Sequence, residues 1–358
     1  MRSELLKSTQ RLVVKLGTGV LTDSQKQTDL RQMRQLVAQV AAQRKAGRQV
    51  ILVTSGAVGS GMGVLGFQKR PEDLASLQAC AAVGQSRLMS TYEKLFARYK
   101  LPVAQVLLTH DDVADHERHF NVRGTLRQLL ERDIVPIINE NDAVSTTELK
   151  FGDNDKLSAL VAALIPADLL VILTTVDGVI DHFGEPDARR ISLIENITSR
   201  VEGLAGGTSS ATAVGGMKTK IQAARIVVRA GIPLVIAAGH KPHVLRDVLA
   251  GKDEGTLFQP DNRPLSSREK WIAFFNRPQG KLRVDDGAFR ALSEKPCSLL
   301  LPGIRRCEGE FTRGAVVSIC NLKGKEFARG VARQDATILR HRKSEDSVAI
   351  HRDHLVLL

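Results

Sequence analysis

Asn139-Glu-Asn-Asp-Ala-Val-Ser-Thr-Thr-Glu-Leu-Lys-Phe-Gly-Asp-Asn-Asp-Lys156 joins an apolar run, Ile134-Val-Pro-Ile-Ile138, to Leu157–Leu164, whose apolar spacing suits a buried helix. The pattern is a core strand, a polar loop and a helix. Short carboxylates and amides at the carboxyl end of a strand lie where open α/β sheets bind ligands. Asp153, Asn154 and Asp155 fall in the first turn of the following helix, where exposed amides favour negative charge. Helix capping explains any one of these residues. Three asparagines and three aspartates in one such stretch exceed what a cap needs.

Upstream, Leu12-Val-Val-Lys-Leu16 reads as a first strand running into Gly17-Thr-Gly19. A lysine inside a core strand is costly unless paired or functional, which makes Lys15 a candidate. Asp29 to Lys45 is an amphipathic helix, and Val50–Val53 a second buried strand ending in a glycine-rich loop, Thr54 to Gly63. Gly61, Gly63 and Gly66 match a dinucleotide fingerprint in spacing alone. The match starts too far beyond the strand and lacks the later acidic residue. No Walker A motif is present. The loop glycines still let backbone amides approach an anion. Pro71 to Tyr99 reads as a long helix with small residues at Ala79–Gly84, suited to close packing, and Val103–Leu108 as another strand. His116 and His119 share a helix face, but a zinc site needs three or four ligands at fixed spacing. They are read as a polar helix start, with no metal site expected. Asn121 to Arg132 continues that helix.

Downstream, Leu169–Leu173 is a strand ending in Thr174-Thr-Val-Asp-Gly178. Gly203 to Gly216 reads as a mobile loop that opens a helix, Met217 to Ala230. Lys218 and Lys220 lie in its first turn, where lysine opposes the helix dipole and so points to a bound anion. Further strands are expected at Pro233–Ala237 and Gly255–Phe258. The alternation predicts an α/β three-layer sandwich with a mostly parallel central sheet over residues 1–260. A Pro-, Arg- and Ser-rich linker covers 261–279. Short β runs with glycine turns, at Ser298–Leu301, Ala315–Ile319 and Glu326–Ala332, predict a small β-rich domain over 280–358.

The 358 residues carry a net charge of +12. Residues 280–358 hold 15 basic against 10 acidic side chains, a tilt rather than a basic tail. No apolar run reaches the roughly 20 residues of a membrane span. The N-terminus lacks the apolar core of a signal peptide. Cys80, Cys297, Cys307 and Cys320 show no metal-ligand spacing, and reduced cytoplasmic thiols are expected.

Two lysines on separate elements, glycine loops after strands and an Asn/Asp cluster suit phosphoryl transfer, which rests on positioning and charge neutralisation. No histidine or serine is placed as a base. None is needed if the acceptor is already ionised at neutral pH: an acid, a carbamate or a phosphate. Val13–Gly17, Val53–Val58, Pro136–Val144, Phe151–Asp155 and Gly215–Lys220 together resemble the glutamate 5-kinase family within the amino-acid kinase fold, and residues 280–358 resemble a PUA domain. The resemblance implies ATP- and Mg²⁺-dependent phosphorylation of L-glutamate at its γ-carboxylate, the first step of proline synthesis. It implies catalytic roles for Lys15, Lys220 and Asp155, and glutamate binding by Ser55, Asp142 and Asn154. It implies nucleotide binding by Lys15, Gly17, Thr174, Thr175, Gly215, Gly216, Met217, Lys218, Thr219 and Lys220. A homo-oligomer, channelling to glutamate-5-semialdehyde dehydrogenase and RNA binding through the PUA domain also follow from it. Two departures fall on the nucleotide side: Thr174-Thr175 stands where the family usually has Thr-Asp, and Ala213-Val214 where it often has Thr-Gly. A sister kinase acting on another acid or a nucleoside monophosphate, or an RNA-binding protein, are the alternatives.

Overall fold

The apolar runs of the first 260 residues form one twisted sheet. A computed structural model describes residues 2–23, 28–144, 154–205, 216–341 and 347–358. The chain divides into two units, Met1–Val113 with Glu117–Pro264, and Ala114–His116 with Leu265–Leu358. In chain order the first contains α1 (Arg2–Lys7), β1 (Arg11–Leu16), α2 (Thr18–Leu21), α3 (Leu30–Lys45), β2 (Gln49–Val53), α4 (Ala57–Val64) and α5 (Leu74–Ala97). There follow β3 (Val103–Leu108), α6 (His110–Ala114), α7 (His116–Glu131), β4 (Val135–Glu140), α8 (Asn154–Leu164) and β5 (Leu169–Thr174). A short hairpin, β6 (Ile180–Asp181) with β7 (Arg189–Arg190), leads to β8 (Leu193–Ile194), α9 (Ser199–Leu204), α10 (Met217–Arg229), β9 (Leu234–Ala238), α11 (Val244–Leu249) and β10 (Thr256–Phe258).

The sheet order is β3-β4-β2-β1-β5-β9-β10-β8. Strands β3 to β9 run parallel, and β10 is antiparallel to β9. β1 lies in the middle, with Lys15 in register with Val53 on one side and Ile172 on the other. Side chains alternate across a strand. Leu12, Val14 and Leu16 join a core with Leu36 and Val40 of α3, Tyr92 and Phe96 of α5 and Leu245 of α11. Val13 and Lys15 therefore point to the opposite face, where α8 packs on β1 and α10 packs on α8. The sheet is covered on both faces, which is why β1, β2 and β5 read as unbroken apolar runs.

The glycine-rich stretch after β2 differs from its reading as a loop. Residues 57–64 are helical. Glycine weakens a helix by about 1 kcal/mol relative to alanine, but here it permits a backbone-to-backbone crossing with α5. A Cβ on Gly61 would lie 1.8 Å from the Cys80 carbonyl oxygen, and one on Gly84 would lie 1.8 Å from that of Ala57. The small residues read at Ala79–Gly84 form this contact. Asp29 and Asp73 cap α3 and α5 with their side chains, accepting from Gln32 N and Ser76 N.

The second unit holds α12 (Ser267–Phe274), β11 (Gly280–Val284), α13 (Asp286–Glu294), β12 (Leu299–Leu300), β13 (Ile304–Glu308), β14 (Val316–Cys320), β15 (Glu326–Val331), α14 (Ala336–His341), β16 (Val348–Ile350) and β17 (Leu355–Leu357). Its main sheet runs β13-β11-β14-β15-β17 around its own core of Leu282, Val284, Val317, Ile319 and Ile350. α12 occupies the stretch read as a linker. Ser266 and Glu269 form a capping box at its start, and Ile272 and Ala273 pack with Val316 and Val356. All four cysteines are free thiols. Among the described residues no helix is long and apolar enough to cross a membrane.

The position of α12 sets where the chain can be cut. A fragment ending at Gln279 carries α12 without Val316 and Val356, so it exposes Ile272. Ending at Pro264 removes that surface. The 1–264 fragment is expected to melt cooperatively and stay monodisperse, whereas 1–279 aggregates sooner on heating. Equal behaviour in calorimetry and light scattering contradicts this assignment.

Candidate active site

Three elements bring the central charges together. β1 carries Lys15 near its carboxyl end, α8 carries Asp155 in its first turn, and α10 carries Lys220 in its first turn. Lys15 Nζ lies 2.7 Å from Asp155 Oδ1, and Lys220 Nζ lies 3.1 Å from Asp155 Oδ2. Thr219 Oγ1 donates to Asp155 Oδ2 at 2.7 Å and lies 2.9 Å from the Gly216 carbonyl oxygen. Asp155 is fully buried, and Lys15 and Lys220 are 4% and 5% exposed. Burial alone pushes the Asp155 carboxyl up. The Lys15 and Lys220 ammoniums, with hydrogen bonds from Lys15 and Thr219, overcome this and hold it below the usual carboxylate value. Lys220 is shifted down, chiefly by burial and further by Lys15, against the pull of Asp155. Asp155 thus holds two cations of one sign beside each other, and the group keeps a net positive charge.

An uncharged polar network adjoins this group. Asn154 Nδ2 lies 2.8 Å from the Thr54 carbonyl oxygen, 2.9 Å from Ser55 Oγ and 3.1 Å from Asn139 Oδ1. Asn139 Nδ2 donates to Gln85 Oε1 at 2.8 Å. Between Ser55 and α4, Gly56 takes a φ of 104°, a left-handed conformation open to glycine at little cost. That turn leaves the first amides of α4 free of helical partners beside Ser55. Asp142, just beyond β4, has its carboxyl pushed up to about 6 by burial, with Arg70 opposing.

On the β5 side, Gly17 N donates to the Leu173 carbonyl at 3.0 Å and Gly239 N to that of Thr174 at 2.8 Å. Thr174 is buried and Thr175 exposed; a Cβ on Gly19 would lie 2.9 Å from Thr175 Cγ2. Met217 is half-buried and Lys218 exposed, so the two lysines of α10 point differently. Gly215, the departure at Ala213-Val214, Asp153 and residues 206–215 of the loop read as mobile lie outside the described residues, whereas Gly203 and Leu204, read as the start of that loop, end the helix α9. The His119 ring lies 3.4 Å from the Val113 carbonyl oxygen. Among the described residues, ligand atoms of exposed His182, Glu185 and Asp187 lie within 4.8 Å of one another.

In the structure Lys15, Lys220 and Thr219 meet on Asp155, and Asn154 meets Ser55; the sequence reading gave these residues separate catalytic, nucleotide and glutamate roles. It passed over Gln85, which no local motif marks.

The amino acid kinase family matches residues 10–238, and the PUA domain matches residues 280–354. A glutamate 5-kinase of Geobacter metallireducens is 45% identical over 100% of both chains, and one of Geobacter sulfurreducens is 46% identical, also over 100% of both. Among solved structures, carbamate kinase from Giardia lamblia bound to AMP-PNP superposes with a TM-score of 0.52 at 19% identity. It covers 71% of this chain and 100% of its own, a likeness of fold.

The buried ion group generates a stability prediction. Replacing Asp155 with alanine leaves two ammoniums buried side by side, and removing one partner of a buried pair typically costs about 3–5 kcal/mol. Asp155→Ala is expected to lose that much in urea unfolding. Adding Lys15→Met to it should recover part of the loss, because one unpaired charge goes. A further loss in the double variant contradicts the arrangement.

Proposed function

The chain belongs to the glutamate 5-kinase family of amino acid kinases, and on that premise we propose that it transfers the γ-phosphoryl group of ATP to the γ-carboxylate of L-glutamate. This is the first step of proline synthesis from glutamate. The observation that carries the reading is the buried Lys15–Asp155–Lys220 group opening beside the Asn154–Ser55 amides.

The γ-carboxylate is ionised at neutral pH, so it attacks without a general base. One of its oxygens forms a bond to the γ-phosphorus as the bond to the bridging β–γ oxygen breaks, and ADP leaves with the electron pair. Lys15 and Lys220 neutralise charge on the phosphoryl oxygens as it redistributes, in a buried site where such contacts gain strength. Asp155 positions both ammoniums and keeps them from separating. Its oxygens are already engaged by Lys15, Lys220 and Thr219, so it is unsuited to hold a metal. Mg²⁺ bound with ATP would supply further charge neutralisation on the phosphates. Gly17, Thr174, Thr175, Gly216, Met217 and Thr219 form the nucleotide side. Ser55, Asp142 and Asn154 bind glutamate, with Asp142 facing the α-ammonium. The acyl phosphate product is labile, which favours a homo-oligomer passing it to glutamate-5-semialdehyde dehydrogenase.

The direct test is ADP release on mixing the protein with L-glutamate, ATP and Mg²⁺, with hydroxylamine trapping the γ-glutamyl phosphate as hydroxamate. ADP without glutamate-dependent hydroxamate contradicts the reading.

Lys220 separates chemistry from binding. Its contact strengthens in the transition state, so Lys220→Ala should lower turnover by about two to three orders of magnitude. Glutamate affinity should change little. Lys218→Ala, on an exposed face, should leave turnover within about twofold of the parent. The reverse ranking in steady-state kinetics overturns the assignment.

Asp142 sets a pH dependence. Its carboxyl is raised from 3.8 to about 6, so between these values the folded chain binds more protons than the unfolded one. That contribution is largest at acid pH and is lost as pH rises through about 6. Asp142→Asn is expected to stabilise the ligand-free protein above about pH 7 and not below about pH 4. Only the ionised form pairs with an ammonium, so wild-type glutamate affinity should fall about tenfold from about pH 7 to about pH 5. In Asp142→Asn the affinity should be weak and flat across this range. Parallel wild-type and variant pH profiles in calorimetry reject the role.

A further inference from the structure

A cavity of about 460 Å³ lies between α5 and the ends of β3 and β4 in the first unit. Ala57, Gln85, Ser86, Glu93, Glu140 and Asp142 are among its lining residues. Gln85 is 8% exposed, and its buried Nε2 has no hydrogen-bond partner among the described residues. An unpaired buried donor in a native protein calls for an explanation.

The orientation of that amide follows from one backbone atom. The Thr54 carbonyl can only accept, so Asn154 must turn Nδ2 toward it, at 2.8 Å. The same nitrogen then faces Asn139, which must present Oδ1, at 3.1 Å. Asn139 is left with Nδ2 for Gln85, which must present Oε1, at 2.8 Å. Amide orientation is usually a matter of choosing the better network. Here each choice follows from the one before it, and the last leaves Nε2 as the buried, unpaired donor of Gln85, a residue that lines the cavity. At the other end of the chain Asn154 Oδ1 is a buried acceptor with no partner among the described residues.

The lining selects the ligand. Glu93, Glu140 and Asp142 disfavour a free anion, while the unpaired amide donor requires an acceptor. A group carrying a cation and an anion on adjacent atoms satisfies both, and the main-chain end of an α-amino acid is such a group. We propose that Gln85 is a substrate-contacting residue whose Nε2 donates to the α-carboxylate of the amino-acid substrate, with the α-ammonium facing Asp142 in the same cavity. The inference rests on the reading of this site as a glutamate site. It adds a specificity role: Gln85 rewards an α-carboxylate, and so separates α-amino acids from simple ω-amino acids that share the reactive carboxylate.

The test compares L-glutamate with 4-aminobutyrate, which keeps the amine and the terminal carboxylate but lacks the α-carboxylate. Affinities of the full chain are measured by calorimetry, with 4-aminobutyrate measured by displacement of glutamate where its binding is weak. A hydrogen bond to a charged group is lost in Gln85→Met, so glutamate affinity should fall about tenfold to a hundredfold. The affinity for 4-aminobutyrate should stay within about twofold. Gln85→Glu keeps an acceptor for Asn139 and replaces only the donor. It should show the same selective loss, and it carries the comparison if thermal melting finds Gln85→Met unfolded. Equal losses for both ligands show that Gln85 acts only through Asn139 and Asn154, and overturn the proposal. Undiminished glutamate affinity in either folded variant also overturns it. Absence of glutamate binding and of glutamate-dependent hydroxamate in the wild type instead overturns the glutamate reading itself, and this inference with it.

Discussion

One carboxylate shared by two ammoniums constrains the first unit more than any other contact. Lys15 and Lys220 arrive from different elements and repel each other; Asp155 is what lets both remain buried. Burying a charge is costly unless it is paired. Because the pair distances depend on where β1 ends and α8 and α10 begin, the ion group ties the central strand to two helices on one face of the sheet. The apolar face made by Leu12, Val14 and Leu16 packs normally against α3, α5 and α11. The sheet thus separates a face that supplies cohesion from one that supplies charge, and the alternation of β1 assigns its residues to the two.

A second constraint is steric. α4 and α5 cross so closely that Gly61 and Gly84 each face a backbone carbonyl at a distance no Cβ allows. The crossing fixes the start of α4, and with it Ser55 and the left-handed turn at Gly56. It also sets Ala57 and Gln85 as neighbouring walls of one cavity. The glycines therefore act on the site through helix packing as well as through exposed amides.

The features legible in sequence were those that contradict their local setting. Lysine in an apolar strand and lysine in a helix first turn are both locally unfavourable, so Lys15 and Lys220 announced a partner. The alternation of apolar runs gave the parallel sheet, because strands buried on both faces leave little else to encode. What escaped was held by distant partners or by composition that misleads. Gln85 is an ordinary polar residue of a long helix until Asn139, 54 positions away, fixes its amide. α4 reads as a loop because its glycines have low helix propensity, and only the crossing with α5 offsets that. α12 was hidden by the prolines and arginines around it, although Ser266 and Glu269 carry the spacing of a capping box. Asp142 was legible as a carboxylate in the cluster, but its burial depends on tertiary packing.

The two ends of the site differ in charge, and this difference orients an amino-acid substrate before any specific contact forms. The lysine pair with Asp155 leaves a net positive group at the end of β1. The cavity beyond Asn154 is lined by Glu93, Glu140 and Asp142. Glutamate has an anionic side-chain end and a zwitterionic main-chain end, so reversing it would place its ammonium against two lysines and its lone carboxylate against three acids. Between the two ends lie amides, which add no net charge of their own. The proposed nucleotide side is built differently. Thr175 and Lys218 are exposed whereas Thr174 is buried, so of these three only the exposed pair would make a contact that water attenuates. In the proposed reaction, changes such as Thr-Thr for Thr-Asp after β5 are therefore tolerated more readily than changes among the buried residues that hold the acceptor carboxylate.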